Sequence, residues 1–147
     1  DKMREVYQMR EAMEGFATRL AAQVMSQAEI DNLYRLLDQH ENAINKTGGK
    51  VYFQEEGDPD FHYYIFSKCG NSQLMHYLEN QLYQLLRMCR QRTSRLPLRA
   101  ENALREHRAI VNAINDRDAE FAEMLMRRHV HHSWKSVELL LKSQTED

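Results

Sequence analysis

An all-α fold is predicted by three features of this sequence. Only five Gly and two Pro occur among 147 residues, so turns are scarce and the elements between them are long. Apolar residues recur at intervals of three and four through most of the chain, the period of a helix with one buried face. Helix-capping patterns fall where those periodic stretches begin and end. The length is that of one ordinary domain with a real core, and no internal repeat, low-complexity tract or interdomain linker interrupts it.

The first helix is expected from about Met3 to Met25, on Met3, Val6, Tyr7, Met13, Phe16, Ala17, Leu20, Ala21 and Val24, with Arg10 on the same stripe. Ser26 and Glu29 have the spacing of a capping box and start a second helix to about Ile44, on Ile30, Leu33, Leu36, Leu37, His40 and Ile44. Asn45 to Gly49 is a turn. Val51 to Cys69 reads as helix broken at Gly57 and Pro59, with Asp58 at the N-cap, Pro59 at the first helical position, and Phe61, His62, Ile65, Phe66 and Cys69 on one face. Gly70-Asn71 closes it. A fourth helix, about Asn71 to Arg92, carries Leu74, Leu78, Leu82, Leu85, Leu86 and Cys89, and Thr93 to Leu98 is a loop. A fifth spans about Arg99 to Asn115 on Ala103, Leu104, His107, Ile110, Val111 and Ile114. After a turn at Asn115-Asp116-Arg117, Asp118 caps a final helix to about Leu141, with Phe121, Ala122, Leu125, His129 and His132 inward; Gln144 to Asp147 is expected to fray.

Composition excludes several classes of function. A net charge of −2 gives no electrostatic ground for nucleic-acid binding through this domain. The arginines between Arg87 and Arg95 are scattered round a helix and into a loop, as on a solvated face. No apolar run approaches the ~18–20 residues of a membrane helix. No signal-peptide pattern opens the chain, which begins inside a helical pattern, as a truncated chain does. Cys69 and Cys89, each on an apolar face, read as buried free thiols and fit a reducing cytoplasm.

Chemistry gathers on four residues. Asp58 and His62 are four apart and share a face if both are helical; His107 and His129 each sit in the apolar stripe of another helix. One carboxylate and three imidazoles aimed inward are the ligand set of a divalent metal in a helical bundle, with open positions for a carboxylate ligand or water. The plainer reading is four unrelated core residues, each hydrogen-bonded to a neighbour. Burying polar groups without a partner costs about 1–3 kcal/mol each, which favours a shared cation. The Glu-x-x-His pairs of a di-iron bundle, an H-E-x-x-H helix and the spaced Cys pairs of structural zinc are all absent. Arg10 is either a structural i, i+4 ion pair with Glu14 or a bidentate clamp on a ligand carboxylate. Tyr63, Tyr64, Asn71, Arg87 and Arg90 are weaker pocket candidates, and His132, facing nearly as His129 does, is a pocket residue or substitute ligand. His131 is expected on the surface, and Tyr83 and Trp134 as packing residues.

The run Asp58-Pro59-Asp60-Phe61-His62-Tyr63-Tyr64-Ile65, closed by Cys69-Gly70-Asn71 and Leu74, resembles the D-x-x-F-H-x-x-[IL] … G-N-x-x-L signature of FCD domains, the effector-binding domains of GntR-type bacterial transcription regulators. Glu106-His107-Arg108-Ala109-Ile110, Ala113-Ile114, Arg117-Asp118 and Met126-x-x-His129 resemble the second half of that pattern, and Tyr7 to Glu14 its first helix. The resemblance covers nearly the whole chain. It implies an antiparallel bundle of six or seven helices around a central cavity, with Asp58, His62, His107 and His129 as the metal ligands. It also implies a homodimer, and a winged-helix DNA-binding domain that is expected to be missing from the front of this chain.

The leading expectation is therefore a sensing module: a small carboxylate binds a divalent ion (zinc, nickel or manganese) and Arg10, and changes DNA affinity through the missing domain. Polar surroundings rich in histidine and arginine disfavour a long acyl chain and point to a di- or tricarboxylate. A small metal-dependent hydrolase or lyase is the alternative. It needs a general base, and no spare carboxylate is clearly placed for one. A third reading is a purely structural metal bundle.

Overall fold

The computed structural model describes residues 2–52, 60–82, 96 and 99–143. They form an all-α bundle of α1 (Lys2–Val24), α2 (Gln27–Asn45), α3 (Phe61–Ser67), α4 (Ser72–Tyr77), a π-helical turn (Leu78–Leu82), α5 (Arg99–Asn115) and α6 (Ala119–Ser143). The long helices α1 and α6 pack along one another, α5 lies against α2 and α6, and the short α3 rests on α1 and α2.

The start signals read from the sequence hold at two junctions. Ser26 Oγ accepts the Glu29 amide at 3.2 Å while the Ser26 amide donates to Glu29 Oε2 at 2.9 Å, the reciprocal capping box. Asp118 Oδ1 accepts the Phe121 amide at 3.1 Å at the head of α6. The turn before it carries Arg117 in the left-handed region, φ 59°, and the Arg117 guanidinium donates to the carbonyls of Met25 at 2.6 Å and Ala22 at 3.3 Å. One residue thus turns the chain between α5 and α6 and satisfies orphan carbonyls at the C-terminus of α1.

The break before α3 differs from expectation. The N-cap is Asp60, not Asp58: its backbone is extended (φ −87°, ψ 127°) and its carboxylate accepts the Tyr63 amide at 3.0 Å. An Asp immediately before the first helical residue needs no Pro to set the helix start, and α3 begins at Phe61. Asp58, Gly57 and Pro59 lie outside the described residues. So do residues 83–92 of the expected fourth helix; its described part is α4 and the π-helical turn.

The core joins Ile30, Leu33 and Leu37 of α2, Phe61, Ile65 and Phe66 of α3, Ile110, Val111 and Ile114 of α5, and Ala122, Met126 and Val130 of α6. Each large apolar side chain buried there contributes about 1.5–3 kcal/mol. The buried face of α1 is rotated from the predicted one. It runs through Tyr7, Arg10, Glu14, Ala17, Thr18 and Ala21, while Phe16 and Val24 are exposed. Polar Glu14 and Thr18 occupy positions that an apolar count passes over. On α6, Phe121 and His132 likewise face outward, and Ala122, Met126, His129 and Val130 carry the contact. At the α1–α6 seam Gly15 permits close approach: a Cβ there would lie 2.7 Å from Cγ of Arg127.

Candidate metal and ligand site

Three helices bring His62, His107 and His129 together in the buried interior. His62 lies in the first turn of α3, which Asp60 starts; His107 and His129 lie on the buried faces of α5 and α6. His129 Nε2 is 3.1 Å from His107 Nε2 and 3.2 Å from His62 Nε2. Phe61 stacks on the His107 ring, centroids 4.0 Å apart and planes 18° from parallel, which holds that imidazole edge-on to the others.

The outer nitrogen of each ring is occupied. His62 Nδ1 is 2.8 Å from Glu14 Oε2, and the other Glu14 oxygen takes the Arg10 Nε–H at 2.7 Å. His129 Nδ1 is 2.5 Å from Glu106 Oε2, which also accepts from Arg99 Nη1 at 3.1 Å. His107 Nδ1 is 3.1 Å from the Tyr52 hydroxyl, which lies 2.5 Å from His40 Nδ1.

An ionised carboxylate only accepts, so the Nδ1 atoms of His62 and His129 carry the ring hydrogens. In neutral rings both Nε2 atoms are then acceptors, and they stand 3.2 Å apart without a hydrogen to share. A cation between them removes that conflict. Two nitrogens held by one ion at ~2.1 Å, at angles between tetrahedral and octahedral, are separated by ~3.0–3.4 Å, so the imidazole trio fits a divalent metal.

The electrostatics favour the neutral form of His107 and His129. Burial drives His129 down to about 3, against the raising effect of the Glu106 hydrogen bond and charge, and His62 adds to the lowering. Burial likewise holds His107 well below its ordinary value, with His129, His62 and His40 adding to the effect. Burial raises the Glu106 carboxyl, but His129, Arg99 and His132 outweigh it and bring it down to about 2. Neutral imidazoles oriented by carboxylates are the form in which histidine binds metal.

The remaining expected site residues fall in different places. Arg10 is buried, 1% exposed, with its Cζ 4.8 Å from the centroid of the Tyr7 ring. His132 has a half-exposed side chain and reaches Glu106 Oε1 through Nδ1 at 2.6 Å, so it touches the carboxylate that holds His129. The Tyr63 hydroxyl donates to Glu79 Oε1 at 3.4 Å. Asn71 caps α4, its side-chain oxygen accepting the Leu74 amide at 3.0 Å. Asp58, Arg87 and Arg90 lie outside the described residues. Sequence reasoning missed Glu106, Arg99, Tyr52 and the second role of Glu14. The one available signal was the adjacency of Glu106 to His107, and adjacent helical residues do not share a face.

The fold and site define an all-α helical domain with buried, carboxylate-oriented imidazoles at its centre. The family model of the FCD domain matches residues 5–132, and the chain belongs to that family. It is similar, at 26% identity over 143 residues, to the HTH-type transcriptional regulator YdhC of Bacillus subtilis (strain 168), covering 97% of this chain and 63% of that protein. Its fold is similar to that of Streptococcus agalactiae GntR, with a TM-score of 0.64 and 22% identity, over 93% of this chain and 59% of the other. The chain thus spans about three fifths of the length of these relatives.

Proposed function

We propose that this chain is the effector-sensing part of a GntR-type transcription regulator, and that it binds a small carboxylate metabolite at a divalent metal ion. The observation that carries the reading is the pair of acceptor nitrogens on His62 and His129, 3.2 Å apart and each fixed by a carboxylate behind it. His62, His107 and His129 would hold the ion, zinc, nickel or manganese according to supply, with Asp58 as the fourth ligand. The metal supplies a fixed positive charge with positions open to a carboxylate oxygen. Arg10, oriented by Glu14, would contribute the clamp on the effector, and a di- or tricarboxylate suits a site flanked by two arginines. In this reading the protein is a cytoplasmic homodimer that reaches DNA only through a winged-helix domain outside this chain. No helix among the described residues is long and apolar enough to cross a membrane.

The reading is of a binding domain rather than an enzyme. Glu14 and Glu106, the carboxylates closest to the imidazoles among the described residues, are each engaged by an arginine and a histidine and so are poorly placed to serve as a general base. Elemental analysis of the purified protein tests the metal: about one divalent ion per chain is expected. His107→Ala should lose the ion and with it the metal-induced stabilisation, about 2.7 kcal/mol for wild type at a metal concentration 100 times Kd. Full occupancy in that variant would overturn the assignment. Thermal shifts with a panel of carboxylates, read beside turnover assays, then separate a sensor from a structural metal bundle and from an enzyme.

A further inference from the structure

Two carboxylates outside the ligand set hold rings of the trio, Glu14 at His62 and Glu106 at His129, and the second of them, Glu106, also ties α5 to α6. It directly precedes His107 on α5 and reaches across to α6, where Oε2 meets His129 Nδ1 at 2.5 Å and Oε1 meets His132 Nδ1 at 2.6 Å. Arg99, seven residues earlier on α5, donates to Glu106 Oε2 at 3.1 Å and to the Ser133 hydroxyl at 2.6 Å. That hydroxyl in turn donates to the His129 carbonyl at 3.1 Å. His129 is therefore gripped at its ring and at its backbone by a single connected network.

We infer that Glu106 is the positioning residue of His129: its Oε2 takes the Nδ1–H of that ring and so presents Nε2 to His62 and His107 as an acceptor. The geometry leaves no other tautomer. If the hydrogen sat on Nε2, the Nδ1 lone pair would face a carboxylate oxygen at 2.5 Å. Because α5 supplies both a ring of the trio and the anchor of a second ring, one helix sets the relative position of His107 and His129. Arg99 supplies the counter-charge that lets the carboxylate stand half-buried between the helices. That the acceptor serves a metal rests on the reading proposed above; the tautomer does not.

The test uses the full 147-residue chain, labelled with nitrogen-15 at histidine and stripped of metal, as wild type, Glu106→Gln and Glu106→Ala. Long-range proton–nitrogen spectra read the tautomer of each ring, and competition with a chelator reads the zinc affinity. His129 is expected as the Nδ1–H form in wild type and to lose that preference in Glu106→Ala, with zinc affinity lower by roughly 10–100-fold. Glu106→Gln retains an acceptor oxygen, so it should keep the tautomer and lose less affinity. If the Ala variant fails to fold, the wild-type tautomer and the Gln variant still decide. An Nε2–H form of His129 in metal-free wild type overturns the proposal, as does unchanged zinc affinity in a folded Ala variant. A wild type that shows the Nδ1–H form yet binds no zinc upholds the positioning and sinks the metal reading alone.

Discussion

Glu14 and Glu106 do the same chemical job in different surroundings. Each sets one oxygen against a histidine Nδ1 and each is met by an arginine, but Glu14 is fully buried beside a guanidinium 1% exposed, whereas the Glu106 side chain is 22% exposed. The first arm is closed to solvent and the second is open to it at one edge. The difference decides what each arginine is worth. A carboxylate in a dry interior cannot regain its hydration when its counter-ion is removed; one at the edge can.

The largest effect should therefore come from Arg10. Arg10→Met strips the guanidinium from a buried carboxylate and should cost about 3–5 kcal/mol of stability in denaturant unfolding. Arg99→Met, on the wetter arm, should cost clearly less. Equal losses would mean that burial does not distinguish the arms.

The Glu106 arm also carries a pH signature. His129 titrates at about 3 in the folded protein against 6.5 for an ordinary ring, because burial disfavours its charge. As pH falls, the unfolded chain takes up the proton first. The contribution of this ring is full above about 6.5 and is lost as the pH drops towards 3. Glu106 adds a loss in the same direction, over a lower window from 4.5 to about 2. Metal-free protein should melt progressively lower from pH 7 to pH 4, and a flat profile over that range would break the assignment of a neutral buried ring.

The smallest effect is expected at His132. Its ring touches the same carboxylate as His129 but is half-exposed, so His132→Ala should change stability by less than about 1 kcal/mol and leave zinc affinity within a few-fold of wild type. A loss as large as that of Glu106→Ala would move His132 from the rim of the site to its centre.

Much of this site could be read from the chain alone, and the unread part has a common cause. His62, His107 and His129 stood out because each is a polar residue on an apolar stripe, and the structure converges all three. The capping signals of Ser26 and Asp118 were local, within three residues, and both are formed. The supporting carboxylates are not local: Glu14 meets His62 across 48 positions and Glu106 meets His129 across 23. Spacing rules say nothing about such pairs. The apolar count also turned α1 slightly out of phase, because its buried face includes Arg10, Glu14 and Thr18. The polarity of that face concealed it. Asp60 shows a third cause: Pro59 drew the expected N-cap to Asp58, whereas the extended backbone at Asp60 makes it the cap of α3.

Gly15 has a mechanical consequence. Arg127 lies across α1 where any side chain would overlap it, and its guanidinium is fastened to Glu123 at 2.6 and 2.9 Å. The two longest helices are in closest registry at that point, with the Arg127 side chain laid over the bare backbone of Gly15. Glu14, one residue before the glycine, and His129, two residues beyond the arginine, flank that contact. His62 sits instead on the seven-residue α3, which Phe61, Ile65 and Phe66 fix in the core, and its ring reaches Glu14 and His129. The site is thus assembled from two long helices in direct contact and one short helix whose place is set by three apolar side chains, so the consequence of Gly15 is that the spacing between Glu14 and His129 is set where the bundle is tightest.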